Sequence, residues 1–174
     1  SGLRLRIALE GVVEKYDVVL VDCPPSLGEL TRNALAAVRL ALVVTEPSFF
    51  ALPGAEAALE AIEVVRGSNN LVLRAAGVVV NRARPQTSEH AYRLAELAEH
   101  YPTLLLPVTV PDRTALQQAQ GACVPVQAWR SSGAREAADA FDDLLDLLLA
   151  AAGRGVAELG HLPTTLTSTG TDPS

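Results

Sequence analysis

The sequence contains no methionine, a single lysine (Lys15), two cysteines and only 4% aromatic residues. Cys23 and Cys123 stand far apart, without C-x-x-C spacing and without neighbouring histidines, so neither a zinc site nor a disulfide framework is expected. A reducing cytosol suits two isolated thiols. Long apolar runs are absent as well. Residues 144–152 come nearest, but Asp146 interrupts them and they are too short to span a bilayer. Glu10 and Glu14 break up the N-terminal stretch, which excludes a secretory h-region there. The net charge of −6 excludes a uniformly basic coat for nucleic acid while leaving room for a local arginine patch.

What is present fits one globular domain. The 174 residues are 49% apolar and 20% charged, and a chain of this size buries about 70% of the surface it exposes when unfolded. With so few aromatics the core must be built from Ala, Val and Leu, a composition suited to buried parallel strands under Ala/Leu helices. No internal repeat is evident.

Periodicity predicts a helix over 3–15, then a strand at 18–21, where an unbroken apolar run signals burial on both faces. Pro24 and Pro25 end it, since proline lacks the amide donor and restricts its predecessor. Ser26 is then expected to cap a helix over 27–38. The alternation continues with strand 41–45, helix 53–66 ended by Gly67, strand 73–81, a helix from Thr87 or Ser88 to His100, and strand 104–108. A loop is expected at 110–112, a helix over 113–120, a fifth strand at 124–128 and a last helix over 133–152. Strand and helix alternate throughout, so the expected fold is α/β, a doubly wound, mainly parallel sheet with helices on both faces. Residues 1–152 form the expected domain. Residues 153–174, rich in Gly, Thr, Ser and Pro, read as a disordered tail.

Ligands of open parallel sheets bind beyond the carboxyl ends of the strands, which draws attention to Asp22. An aspartate there either holds Mg²⁺, directly or through water, or caps the next helix. Read from residue type and position alone, Asn81 is a strand-terminating turn residue and Asp112 the N-cap of the helix after it. Cys23 beside Asp22 has no histidine base near it in sequence and reads as a small packed residue. His90, His100 and His161 are scattered and receive no role.

The string Tyr16-Asp17-Val18-Val19-Leu20-Val21-Asp22-Cys23-Pro24-Pro25-Ser26-Leu27-Gly28, followed by Leu30-Thr31 and Asn33-Ala34-Leu35, resembles a segment of the ParA and Soj partitioning ATPases, deviant-Walker members of the SIMIBI class of P-loop NTPases. The resemblance continues through Ala41-Leu42-Val43-Val44-Thr45, Ala51-Leu52-Pro53-Gly54, Gly77-Val78-Val79-Val80-Asn81-Arg82, Val110-Pro111-Asp112-Arg113 and Gly121-Ala122-Cys123-Val124-Pro125-Val126. It implies a P-loop NTPase-like fold, ATP and Mg²⁺ as cofactors, and ATP hydrolysis in chromosome or plasmid segregation. By the same resemblance Asp22 is the catalytic aspartate that organises Mg²⁺, through water, and the attacking water. Pro24 and Pro25 shape the nucleotide-binding switch loop, Asn81 bonds the adenine edge, and Pro111 with Asp112 line the base. Arg82 and Arg84 stand beside this base site and read equally as surface residues. Non-specific DNA, a ParB-like partner and a homodimer are the implied associations. Arg130 matches the first basic position of a DNA-contacting stretch whose second basic position is Ser132 here.

Departures from the family pattern set the limits. A P-loop needs a glycine-rich backbone and a lysine to hold phosphates, yet no G-x-x-x-x-G-K-[ST] occurs, and Lys15 follows Glu14 with no glycine loop around it. The first strand, phosphate loop and first switch are expected upstream of Ser1. The chain is therefore expected not to act as an ATPase alone, and a truncated, non-catalytic paralogue serving as an interaction module is the alternative. Residues 153–174 hold no basic amphipathic helix, which disfavours a membrane-associated branch and leaves the cytoplasm or nucleoid. An unrelated receiver-like fold would need an acidic cluster near the N-terminus, which the sequence does not show.

Overall fold

A computed structural model describes residues 3–153. The tail expected at 153–174 lies, from 154 onward, outside the described residues.

Three parallel strands form one sheet in the order β1-β2-β3: β1 (Leu40–Thr45), β2 (Arg74–Ala83) and β3 (Leu105–Pro111). Successive strands are joined by crossover helices, α3 (Ala51–Ser68) between β1 and β2 and α4 (Ser88–His100) between β2 and β3. Ahead of the sheet lie α1 (Arg4–Leu9) and α2 (Glu29–Ala37), and after it α5 (Thr114–Gly121) and α6 (Ser132–Ala151). The alternation of β2 divides the core. Val78 packs with Leu35, Val43, Ile62 and Val65 under α2 and α3, and Val80 packs with Ala51 and Leu97 under α3 and α4. Val79 points the other way, to Val108, Ala140 and Leu144 of α6. Helices thus cover both faces, and the expected doubly wound α/β class holds.

Small residues carry this packing. Ala34, Ala36, Ala51, Ala55, Ala115, Ala119, Ala134, Ala137 and Ala140 are all buried, which lets helices approach the sheet without aromatic filler. Pro53 is tolerated in the first turn of α3, where its missing amide has no intrahelical partner to lose. Asn70 is buried and donates through Nδ2 to the carbonyls of Leu35 (2.9 Å) and Val38 (2.6 Å), satisfying acceptors at the end of α2.

Several expectations need correction. Residues 18–21 are not a strand: they pair with none, and Leu20 is 82% exposed. Apolarity signals that a run wants burial, but a strand forms only where a neighbour supplies hydrogen bonds, and the described sheet ends at β1. Residues 124–128 are not a strand either. Val126–Ala128 is a single 3₁₀ turn, following Pro125, which has no amide to donate, and Cys123, whose φ is +55. The first helix stops at Leu9 because Gly11 adopts φ +76, and a 3₁₀ turn at Val13–Lys15 replaces the rest. Ser26 does not cap α2. The helix opens two residues later behind Gly28, and the Ser26 carbonyl instead accepts from Thr31 Oγ1 at 2.6 Å. The loop expected at 110–112 is still strand through Pro111, which an edge strand tolerates because its missing donor costs no ladder bond on the open side. Gly67 lies inside α3 rather than after it.

Candidate functional site

The carboxyl ends of β2 and β3 bring Asn81, Pro111 and Asp112 together. Ala83 stands opposite Pro111 in the parallel register, and the Asp112 amide donates to the Ala83 carbonyl at 3.1 Å. Between the Val80–Thr109 and Ala83–Pro111 pairs, β2 has three steps where β3 has two. The extra residue is a bulge at Asn81–Arg82, and Arg82 takes φ +55 to accommodate it. The bulge resets the alternation: Ala83, three residues after Val80, packs into the same cluster as Val80. Asn81 is half-buried, and its Oδ1 accepts from the Arg82 amide at 2.9 Å.

Two arginine–carboxylate pairs flank Asn81. Arg82 reaches back to Glu46, just past β1, at 3.3 Å. Arg84 Nε donates to Asp112 Oδ2 at 2.7 Å, and the Arg84 guanidinium makes a second close contact to the same oxygen. The Arg84 loop is itself tied down. Its amide donates to His90 Nδ1 at 3.0 Å, and its carbonyl accepts from Thr87 Oγ1 at 2.9 Å. The acceptor role of Nδ1 puts the proton of neutral His90 on Nε2. Asp112 is not an N-cap: Arg113 holds that position of α5, and the carboxylate is spent on Arg84. Arg113 forms a two-pronged bond to Glu136 of α6 (2.8 and 2.7 Å) and also donates to the Asp112 carbonyl at 3.1 Å, fixing the β3–α5 turn against α6.

The other expected site residues lie apart from the sheet end. Asp22, Pro24 and Pro25 are exposed in the stretch before α2, where Thr31 Oγ1 also contacts the Pro24 carbonyl at 3.5 Å. Partial burial, and next the charge of Asp22, raise the Cys23 thiol above its ordinary pKa, so this thiol is held protonated rather than activated. Among the described residues no group of three or more His, Cys, Asp or Glu could hold a metal ion. Asp22 offers a single carboxylate, which suits Mg²⁺ only as a metal that keeps most of its shell from water or ligand oxygens. Arg130 is exposed at the entrance to α6, on a cavity of ≈ 750 Å³ shared with Trp129, Arg135, Asp139 and Asp142. Asp139 and Asp142 offset its positive charge.

Sequence reasoning missed the pairing of Arg84 with Asp112 and the part His90 plays in holding that loop. The only signal was the proximity of Arg82 and Arg84 to Asn81; nothing in the residue types announces a left-handed arginine. It also missed an exposed aromatic group between β1 and α4. Phe49 and Phe50 meet edge to face, and the Arg93 guanidinium lies 5.4 Å from the Phe49 ring and 5.1 Å from that of Tyr92.

Residues 1–75 match a family model described as an AAA domain. The cell division protein PomZ of Myxococcus xanthus is 34% identical over 151 residues, which are 86% of this chain and 47% of PomZ. The chromosome partitioning protein ParA of Caulobacter vibrioides is 34% identical over 125 residues, covering 71% of this chain and 47% of its own. Among solved structures, the chain is similar to the cobyrinic acid a,c-diamide synthase of Mycobacterium smegmatis with bound ADP and magnesium. That likeness has 27% identity and a TM-score of 0.66, over 88% of this chain and 55% of that one. The chain spans about half the length of the curated relatives it matches.

Proposed function

Because the chain belongs to the ParA-type family of partitioning and cell-division ATPases, we propose that it supplies the base-binding edge and the switch segment of such an enzyme. By itself it neither holds ATP tightly nor hydrolyses it. The observation that carries this reading is the cluster of Asn81, Pro111 and Asp112 at the carboxyl ends of two adjacent parallel strands, where sheets of this class receive ligands. Asp22, Pro24 and Pro25 form the switch segment. Asp22 would help hold Mg²⁺, which would supply charge neutralisation at phosphate oxygens. A related solved structure contains ADP and magnesium, which supports nucleotide as the ligand class.

The second half of the proposal rests on phosphate chemistry. Holding a triphosphate takes a ring of backbone amides and a lysine. The one lysine, Lys15, sits exposed in a 3₁₀ turn next to Glu14. Titration calorimetry with MgATP tests this directly: no micromolar binding is expected, and a micromolar Kd in this chain would overturn it.

In the full-length context we assign the chain a segregation role with ATP, Mg²⁺, a homodimeric partner, a ParB-like protein and non-specific DNA contacted through Arg130, in the cytoplasm or at the nucleoid. Among the described residues no helix is long and apolar enough to cross a membrane. A second reading, a non-catalytic module that docks onto a fuller relative, is favoured by the exposed Val18, Val19 and Leu20 and by the open edge of β1. Co-purification with a relative that carries a phosphate loop supports it; a monodisperse monomer at high concentration counts against it.

A further inference from the structure

At the amino ends of β1 and β2, opposite the end that carries Asn81, a cavity of ≈ 510 Å³ opens between the end of α2 and the turn after α3. That volume falls within the range of small-ligand pockets, about 300–1,000 Å³. Arg6 of α1 and Arg39, just before β1, both line it, and its lining residues include no aspartate or glutamate. Neither guanidinium has an ion-pair partner among the described residues. A cation near the last turn of a helix is favourable by itself, which accounts for each arginine separately. It does not account for two of them sharing one cavity without a counter-charge.

The polar side chains of the remaining wall are engaged in holding it together. Asn70 is bound to the Leu35 and Val38 carbonyls, Ser68 Oγ donates to the Val64 carbonyl at 2.8 Å, and Asn69 Nδ2 donates to Ser68 Oγ at 3.0 Å. The Leu73 amide donates to the Asn70 carbonyl at 3.0 Å, closing a turn around Leu71 and Val72. The amides of these two central residues have no acceptor among the described residues. Successive free amides of a turn and guanidinium forks are both donors suited to an oxyanion. The same two residues hold out apolar side chains, Leu71 being 83% exposed and Val72 67%.

We propose that this cavity binds a small amphiphilic anion, its oxyanion head held by Arg6 and Arg39 and its short alkyl chain lying against Leu71 and Val72. Open parallel sheets receive their usual ligands at the carboxyl ends of the strands, so this is a second site at the opposite end. Its existence neither requires nor excludes the strand-end site at Asn81.

The probes are octyl phosphate, inorganic phosphate and 1-octanol, which present head and tail together and each alone. Binding is followed by NMR through the amide resonances of Leu71 and Val72. Octyl phosphate is expected to bind about tenfold or more tightly than either fragment, because only it meets both the donors and the apolar wall. Arg6→Gln and Arg39→Gln should each weaken it by about tenfold. Both side chains are exposed, so far-ultraviolet circular dichroism should stay unchanged. Should Arg39→Gln not fold, Arg6→Gln, which lies outside the sheet, carries the readout. Leu71→Ser should weaken octyl phosphate and leave inorganic phosphate as it was. No response of Leu71 or Val72 to octyl phosphate overturns the site. Octanol binding as tightly as octyl phosphate, or unchanged affinity in a folded arginine variant, overturns the role of charge. Inorganic phosphate binding as tightly as octyl phosphate overturns the apolar half. Sedimentation with phosphatidylglycerol vesicles, without any response to octyl phosphate, overturns a free ligand in favour of a lipid surface.

Discussion

Replacing Gly77 by alanine is the sharpest test of how the sheet is built. Gly77 follows the irregularity in the β1–β2 ladder, where Ala41 pairs with Ala75 and Leu42 with Gly77, and its φ is +148. A Cβ there would lie 2.6 Å from Leu106 Cδ2 and 2.8 Å from the Leu104 carbonyl oxygen. The leucine side chain can swing away. The carbonyl cannot, because it accepts the Val78 amide at 2.7 Å and is part of the β2–β3 join. The alanine must therefore break that bond or force the backbone to a new φ. Left-handed strain of about 1–3 kcal/mol and a lost hydrogen bond of about 1 kcal/mol give a combined cost of about 3 kcal/mol. Out of a typical total of about 5–15 kcal/mol this is a large loss. It corresponds to a fall of about 6–12 °C in Tm. Urea unfolding should show a lower midpoint with an unchanged slope. Gly54→Ala is the control, since nothing lies within 4 Å of its added Cβ inside α3, and it should gain about 0.5–1 kcal/mol. A Gly77→Ala loss below about 1 kcal/mol would refute the close approach of β3 to this residue.

Three further outcomes are expected. Asn70→Ala removes both donors to the end of α2 and should cost about 2–3 kcal/mol by denaturant titration; a loss no greater than that of an exposed asparagine such as Asn69 would contradict the assignment. Ser131 accepts from the Ala134 amide as the N-cap of α6, so Ser131→Ala should cost about 1 kcal/mol and Ser131→Asp should restore it. For Cys23 the folded pKa lies above the unfolded one, so the proton is held more tightly in the folded state. Its stability contribution is intact below the unfolded pKa and falls as pH rises past it. Iodoacetamide alkylation of Cys23 should accordingly reach its half-maximal rate at higher pH than an unhindered thiol, with Asp22→Asn lowering that midpoint; a midpoint below the ordinary thiol range contradicts the environment described.

The elements that pack on themselves were legible in the sequence. The strands ending at Thr45 and near Asn81 announce themselves as short apolar runs, and the helices over α3, α4 and α6 by their spacing and flanking residues. Strand character at 18–21 was misread because the apolar run reports a preference for burial, whereas a strand needs a partner whose position no local pattern encodes. At 124–128 the apolar residues outweighed Pro125 in the reading, yet it is the missing amide that decides. Asn81, Pro111 and Asp112 were singled out by the family resemblance, and the structure brings the three together at one end of the sheet. Their true partners were not found, because the bulge, the φ of Arg82 and the Arg84–Asp112 pair arise from strand register. Register is a relation between distant segments.

The proposed function gives this chain a base edge without a phosphate grip. The affinity ratio of ATP to adenosine measures that claim most directly, read by NMR from shifts of the Asn81, Ala83 and Asp112 resonances. Weak binding of both is expected, with affinities within about threefold of each other, since the sequence carries no G-x-x-x-x-G-K-[ST] and its one lysine, Lys15, lies beside Glu14 in a 3₁₀ turn. ATP binding a hundredfold or more tighter than adenosine, a gap of about 2.7 kcal/mol, would show a phosphate site in this chain and contradict the claim.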